Sequence, residues 1–153
     1  IKLLDAQSIK IRQFVITFIS SLQSGSDRIL FDMKRGYTQK KYLEKVSIIK
    51  NINQDISITT DVIVGFPGET DEDFEATLDV INKVMFDSIF MYKFSPRPGT
   101  VADTMSTSFV EKSIIDDRFD TLKNIQTSIS EKQLSRFIGS NLEVLIDGPS
   151  KYN

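Results

Sequence analysis

The 153-residue chain contains no cysteine and no histidine. These two absences exclude more than any residue present. Disulfides are ruled out, as are thiolate metal sites and any nucleophilic triad built on an imidazole base. Iron or zinc would have only carboxylates to bind, a poor donor set for iron–sulfur chemistry. If the chain takes part in redox catalysis, another polypeptide segment must hold the metal. Long apolar runs are missing too. Nothing approaches the ~18 residues of a membrane-spanning helix. The apolar stretch at residues 14–19 is far too short, and no signal-like basic region precedes it. The expectation is a cytoplasmic protein with no membrane partner. An excess of positive charge is also absent: 19 Lys and Arg face 21 Asp and Glu, a net charge of -2. Broad nucleic-acid-binding faces are basic. Any RNA contact must therefore be local or come from segments outside this chain.

What is present suits one globular domain of ordinary size, 40% hydrophobic and 26% charged. Residues 14–19 read as a strand, rich in β-branched and aromatic side chains. A helix capped by Ser26 should follow, carrying Ile29, Leu30 and Met33 inward and stopping at Gly36. A second helix is predicted over residues 38–51, with Leu43, Val46 and Ile49 as its apolar stripe. Residues 56–64 form a second strand whose end, Val62-Ile63-Val64, is continuously apolar, as in a strand covered on both faces. Thr70 and Asp73 make an acidic variant of the capping box, opening a helix with Phe74, Leu78, Ile81 and Met85 in period. Residues 88–94 are the third strand. Ser108 and Glu111 carry another capping-box signature before a long helix to about Phe137, with Ile115, Phe119, Leu122, Ile125 and Ile129 inward and Gly139 as its stop. Residues 142–147 read as one more strand, ahead of a Gly148-Pro149 turn. The order implies parallel strands with right-handed crossovers, hence an α/β fold. Three strands are few for such a sheet, so a fragment of a larger barrel, with one open apolar side, is expected.

Ligands of parallel α/β folds sit where the chain leaves the carboxyl ends of the strands. Three unusual loops lie at such ends. Gln23-Ser24-Gly25-Ser26 can reach ribose hydroxyls or a carboxylate, or it is simply a turn and helix cap. Gly65-Phe66-Pro67-Gly68-Glu69-Thr70 allows close backbone approach to a flat ligand, or it is a βα turn with two convenient glycines. Ser95-Pro96-Arg97-Pro98-Gly99-Thr100 holds an arginine between two prolines, which suits a carboxylate or phosphate partner; a rigid loop with a solvated arginine is the alternative. Lys34-Arg35 and Lys40-Lys41 read as a solvated helix surface rather than an RNA contact. Glu69, Asp71, Glu72 and Asp73 read as a complement to a helix dipole rather than a metal site.

Taken together, these segments resemble the radical-SAM methylthiotransferases from about Leu22 to Lys151. The resemblance is carried by Leu22-Gln-Ser-Gly-Ser-Asp-Arg-Ile-Leu, Met33-Lys-Arg-Gly-Tyr-Thr, and Thr60-Asp-Val-Ile-Val-Gly-Phe-Pro-Gly-Glu-Thr with Asp73-Phe74. Phe86-Asp-Ser, Tyr92-Lys-Phe-Ser-Pro-Arg-Pro-Gly-Thr and Ile138-Gly-Ser complete it. The Gly-Phe-Pro-Gly-Glu-Thr loop recurs across several radical-SAM groups. The Ser-Pro-Arg-Pro-Gly-Thr loop is close to diagnostic for methylthiotransferases. Gln23 to Ser26 and Arg35 to Thr38 look more like the tRNA-modifying (MiaB) branch than the ribosomal-protein branch.

The resemblance implies the C-terminal half of a partial (β/α)6 radical-SAM barrel, residues 1–137, followed at residues 138–153 by the first strand of a small RNA-binding β-barrel, the TRAM domain. It implies S-adenosylmethionine and two [4Fe–4S] clusters as cofactors of the full-length family. The activity implied is transfer of a methylthio group to C2 of an N6-isopentenyl adenosine, with the tRNA anticodon stem-loop as partner. By position, Gln23, Ser24 and Ser26 match the loop near the ribose and methionyl group of the cofactor. Asp61, Val64, Gly65 and Phe66 match the strand and loop near ribose and adenine. Arg97 matches the arginine of the last-strand loop, with substrate, RNA and cofactor all open as its contact. The family's Cys-x-x-x-Cys-x-x-Cys loop has no counterpart here, and Ile19, Ser20 and Ser21 stand where the family shows His-Leu-Pro. The first twenty residues fit the family poorly, as an altered or mis-joined N-terminus would. The chain is accordingly expected to be inactive alone and to need a cluster-bearing N-terminal half. A non-catalytic remnant with a cofactor-like pocket and the ribosomal-protein branch are the alternatives.

Overall fold

A computed structural model of the chain describes residues 17–54 and 56–141. Three parallel strands, β1 (Thr17–Ile19), β2 (Ser57–Val64) and β3 (Ser88–Lys93), lie side by side in chain order. Thr17 to Ile19 pair with Ser57 to Thr59, and Thr59 to Val64 pair with Ser88 to Lys93. All the strands point the same way, so the loops leaving their C-terminal ends gather at one rim. The α/β expectation holds at this level. Residues 14–16 of the expected first strand and all of the expected strand at residues 142–147 fall outside the described residues.

Successive strand residues point to opposite faces, and the two faces differ sharply. Ile58, Val62 and Val64 of β2 and Ile89 of β3 are buried in one continuous core. The helices supply the rest of it. Tyr42 and Val46 come from α2 (Gln39–Ile52), Phe74, Leu78 and Ile81 from α3 (Asp71–Val84), and Leu122 and Ile129 from α4 (Lys112–Ser135). Each fully buried aliphatic side chain contributes roughly 1.5–3 kcal/mol. On the other face stand Asp61 and Ile63, partly buried, beside Phe90 and Tyr92, half exposed. Among the described residues no helix covers that face.

The local signals performed unevenly. The short helix α1 (Asp27–Asp32) is capped by Ser26 as expected. It does not end at Gly36. Lys34 takes a left-handed conformation at φ 59°, and the Arg35 N–H donates to the Leu30 carbonyl at 2.8 Å, closing the helix two residues earlier. In α2, Val46 is buried and Leu43 and Ile49 are only partly so, while Tyr42 is the most buried side chain of the helix. The Thr70–Asp73 capping box forms in both directions. Met85 does not continue that helix but ends it, at φ 56°.

The second capping box does not form. Val101–Ser108 is a 3-10 segment, and α4 starts at Lys112 after Glu111, which makes no side-chain cap. The Ser108 carbonyl instead accepts the Gly68 N–H at 2.7 Å, so Ser108 serves the loop after β2. Helix α4 ends at Ser135, two residues short of the expectation, and Gly139 follows at φ 80°.

Candidate functional site: a cleft at the strand ends

The rim holds a cleft of about 550 Å³. Ligand pockets commonly span roughly 300–1,000 Å³. Its walls come from all three strand-to-helix regions: Gln23 and Arg35 after β1, Asp61 and Phe66 at the end of β2, and Tyr92, Phe94 and Arg97 at the end of β3.

Gln23 is built into the sheet. Its N–H donates to the Asp61 carbonyl at 2.8 Å, and its own carbonyl accepts from the Ile63 N–H at 3.0 Å. The residue sits at φ 64°, a left-handed conformation that costs a non-glycine residue roughly 1–2 kcal/mol. The two sheet bonds hold it there. Its side-chain oxygen accepts from Nη2 of Arg35 at 2.9 Å. Arg35 thus leaves the solvated helix surface expected for it and becomes part of the cleft wall. The left-handed turn at Lys34 swings it back toward the sheet.

Asp61 lies on the helix-free face of β2, and its carboxylate accepts a hydrogen bond from the Ser21 hydroxyl. Phe66 packs edge-on to Phe94, with ring centroids 5.4 Å apart and planes at 73°. Phe94 in turn meets Phe109 at 6.0 Å. The result is an aromatic wall beside one acidic side chain, Asp61, and three basic ones, Arg35, Lys93 and Arg97. Arg97 is exposed, in a loop tied by the Thr100 N–H and hydroxyl donating to its carbonyl. Its guanidinium has no partner among the described residues.

Of the eight residues singled out from the sequence, the structure brings four to this cleft: Gln23, Asp61, Phe66 and Arg97. The other four have partners elsewhere. Ser24 is wholly buried, with its hydroxyl 3.4 Å from that of Thr77 and accepting the Ser26 N–H at 3.2 Å. Ser26 caps α1 and donates to Asp73 at 2.6 Å. Val64 is in the core. Gly65, at φ 75°, gives its N–H to the Glu69 carboxylate at 2.7 Å.

The acidic run splits by role. Asp71, Glu72 and Asp73 occupy the first turn of α3, where they favour the helix dipole. Asp73 is nearly buried, which would raise its pKa. Hydrogen bonds from the Ser26 hydroxyl, the Thr70 backbone, Arg28 and the Thr70 hydroxyl outweigh burial and lower it to about 2. Glu69 faces inward, away from the role expected of it. Its carboxylate meets Arg118 at 2.8 Å, with only 1% of its side chain exposed. Burial pushes the Glu69 carboxyl up, against the Gly65 N–H and Arg118, which pull it down. Arg118 was invisible in the sequence, one charge among many on α4. Its only local sign was its place between the inward positions Ile115 and Leu122.

Among the described residues, no group of three or more His, Cys, Asp or Glu is placed to hold a metal ion, and no helix is long and apolar enough to cross a membrane. With no cysteine in the chain, an iron–sulfur cluster has no fitting ligands here.

Residues 10–81 match the radical SAM superfamily. The chain is 46% identical over 132 residues, 86% of its length, to the tRNA-2-methylthio-N(6)-dimethylallyladenosine synthase of Corynebacterium jeikeium. Enzymes of the same name from Fusobacterium nucleatum (46% over 132 residues) and Moorella thermoacetica (47% over 130 residues) match 86% and 85% of the chain. The matched segment is 26%, 30% and 29% of those three relatives. The chain spans between a quarter and a third of the relatives it matches, and over more than four-fifths of its own length it is similar to these methylthiotransferases.

Proposed function

We propose that the chain is the C-terminal part of the radical-SAM barrel of a tRNA methylthiotransferase, placing a methylthio group on C2 of N6-isopentenyl adenosine next to the anticodon, in the cytoplasm. The observation that carries this reading is the likeness to the named tRNA-modifying enzymes across more than four-fifths of the chain. The cleft at the strand ends supports it. On this reading, residues 1–137 complete a partial (β/α)6 barrel and residues 138–153 begin the TRAM domain.

The cleft residues suit S-adenosylmethionine. Asp61 offers an acceptor for ribose hydroxyls, and Phe66 with Phe94 offers an aromatic surface for adenine. Gln23, oriented by Arg35, offers an amide to the ribose or methionyl end. Ser24, Ser26, Val64 and Gly65 act behind these residues, holding the loops that present them. When bound, the cofactor supplies the methyl-donating and radical-generating chemistry. Arg97, uncommitted at the rim, is available to a carboxylate or phosphate of cofactor, RNA or other substrate. The two [4Fe–4S] clusters of the family need ligands from another segment, so this chain alone does not cleave the cofactor.

The test is to express the chain in cells lacking the modification, with and without a cluster-bearing N-terminal half, and to measure methylthio-adenosine in tRNA by mass spectrometry. Modification is expected only with both parts. Robust 5′-deoxyadenosine from the purified chain after anaerobic cluster reconstitution would overturn the claim that it is inactive alone. Methylthio on a ribosomal protein, with none in tRNA, would move the chain to the other branch. Binding of S-adenosylhomocysteine with no modification in either arm would leave a binding module.

A further inference from the structure

The loop between β2 and α3 sends one side chain, Phe66, into the cleft. What fixes Phe66 lies behind the loop, on α4. Gly65 and Glu69 bracket the turn, and the Glu69 N–H donates to the Phe66 carbonyl at 2.9 Å. A single oxygen of Glu69, Oε2, accepts the Gly65 N–H at 2.7 Å and Nη1 of Arg118 at 2.8 Å. Nη1 also donates to the Glu69 carbonyl at 3.2 Å, and Nη2 to Asp71 at 2.8 Å. Arg118 therefore holds the end of the loop by side chain and backbone at once. One turn earlier on α4, Ile115 fills the space beside Gly65. A Cβ on that glycine would lie 2.4 Å from the Ile115 side chain. Both ends of the loop rest on the same helix.

A carboxylate and a guanidinium this deeply buried, at 5% and 6% exposure, cost several kcal/mol to desolvate, and their attraction offsets this only when the geometry is good. Aliphatic packing of the same volume would hold α4 to α3 at least as well. The ion pair adds direction, because it sets where the Glu69 oxygens point and so where the Gly65 amide and the Phe66 ring must lie.

We propose that Arg118 is a positioning residue for the cleft: acting through Glu69, it sets the conformation of the Gly65–Glu69 turn and the place of Phe66, and thereby the affinity for an adenosyl ligand. The ligand part of this inference rests on the cofactor reading above; the effect on the turn does not. The experiment uses the whole chain with three variants. Arg118→Met removes the pair, Arg118→Lys keeps one charge contact, and Asp71→Asn disturbs only the exposed arm of the network, since the Asp71 side chain is 90% exposed. Two signals are followed: the Gly65 amide and Phe66 ring resonances by NMR, and affinity for S-adenosylhomocysteine by calorimetry. Arg118→Met should shift both resonances and weaken the ligand about tenfold. Arg118→Lys should recover part of the loss, and Asp71→Asn should stay close to the parent chain. A folded Arg118→Met chain with unchanged resonances overturns the inference, as does unchanged affinity where the parent chain binds. If Arg118→Met does not fold, Glu69→Gln carries the test, because it keeps the shape and removes the charge. Unchanged Gly65 and Phe66 signals in that variant would also overturn the inference. A parent chain that does not bind S-adenosylhomocysteine defeats the cofactor reading, while the resonances still decide the role of Arg118.

Discussion

Arg35 donates from Nη2 to the side-chain oxygen of Gln23 at 2.9 Å, joining two residues on either side of α1 at the mouth of the cleft. One is held by the sheet in a left-handed conformation. The other is turned toward it by the left-handed residue before it. Strain of this kind persists where surrounding structure over-determines it, and it concentrates at ligand sites.

Removing Arg35 should release the Gln23 amide without unfolding the chain. Arg35 is exposed, and substitutions at such positions usually change stability by no more than about 0.5 kcal/mol. Arg35→Ala is expected to leave the thermal midpoint nearly unchanged and to weaken S-adenosylhomocysteine measurably in a titration. An unchanged affinity would show that Gln23 is placed by its backbone alone.

Asp73 should govern the acid limb of stability. Its folded pKa of about 2 lies below the ordinary 3.8, so the carboxylate favours the folded state above the ordinary value. That contribution disappears as pH falls through about 4 to 2, and it amounts to about 2 kcal/mol. Glu69 acts oppositely. Its raised pKa favours folding while it is protonated, and this advantage declines as pH rises through its range. Denaturant midpoints measured from pH 5 to 2 should fall for the parent chain and flatten for Asp73→Asn.

Gly25 lies against α3 with no room for a side chain. A Cβ there would sit 2.3 Å from the Ala76 carbonyl oxygen and 2.5 Å from the Thr77 Cα, both backbone atoms. Gly25→Ala should cost about 2 kcal/mol or more, because the loop or the helix must shift. Gly36 has nothing within 4 Å of the same position, so Gly36→Ala is the matched control and should unfold at the parent midpoint.

Thr60 ties the end of β1 to β2 through one hydroxyl. It donates to the Ser20 carbonyl at 2.7 Å and accepts the Leu22 N–H at 2.8 Å, with Tyr42 joining at 3.3 Å. Thr60→Val keeps the volume and leaves the buried Leu22 N–H without its acceptor, while the Ser20 carbonyl keeps the Tyr42 hydroxyl at 2.8 Å; the cost is about 1–3 kcal/mol. Tyr42→Phe should cost less, since the Ser20 carbonyl retains Thr60. Denaturation of both variants orders them, and the opposite order would contradict this account.

Much of the fold is legible in local pattern. The Thr70–Asp73 capping box forms because its two residues satisfy each other across one turn. The inward set Phe74, Leu78 and Ile81 follows from helical period alone. The Ser108–Glu111 pair has the same local signature and fails, because the Gly68 N–H claims the Ser108 carbonyl from 40 residues away and a 3-10 segment forms instead. Arg35 and Arg118 could not be picked out, since a charged residue on a helix looks solvated until its long-range partner is known.

By itself, the sequence determined the α/β class, the strand-end loops, the absence of any cysteine ligand and the family its motifs resemble. Only the tertiary structure decided which polar groups of those loops face the cleft. Gln23 and Ser24 are neighbours, yet one turns to the cleft and Arg35 and the other to Thr77. Phe66 and Glu69 share a turn, yet one meets Phe94 in the cleft wall and the other Arg118 beneath it. A loop side chain points where its hydrogen-bond and packing partners are, and here those partners lie between 12 and 53 residues away in the chain.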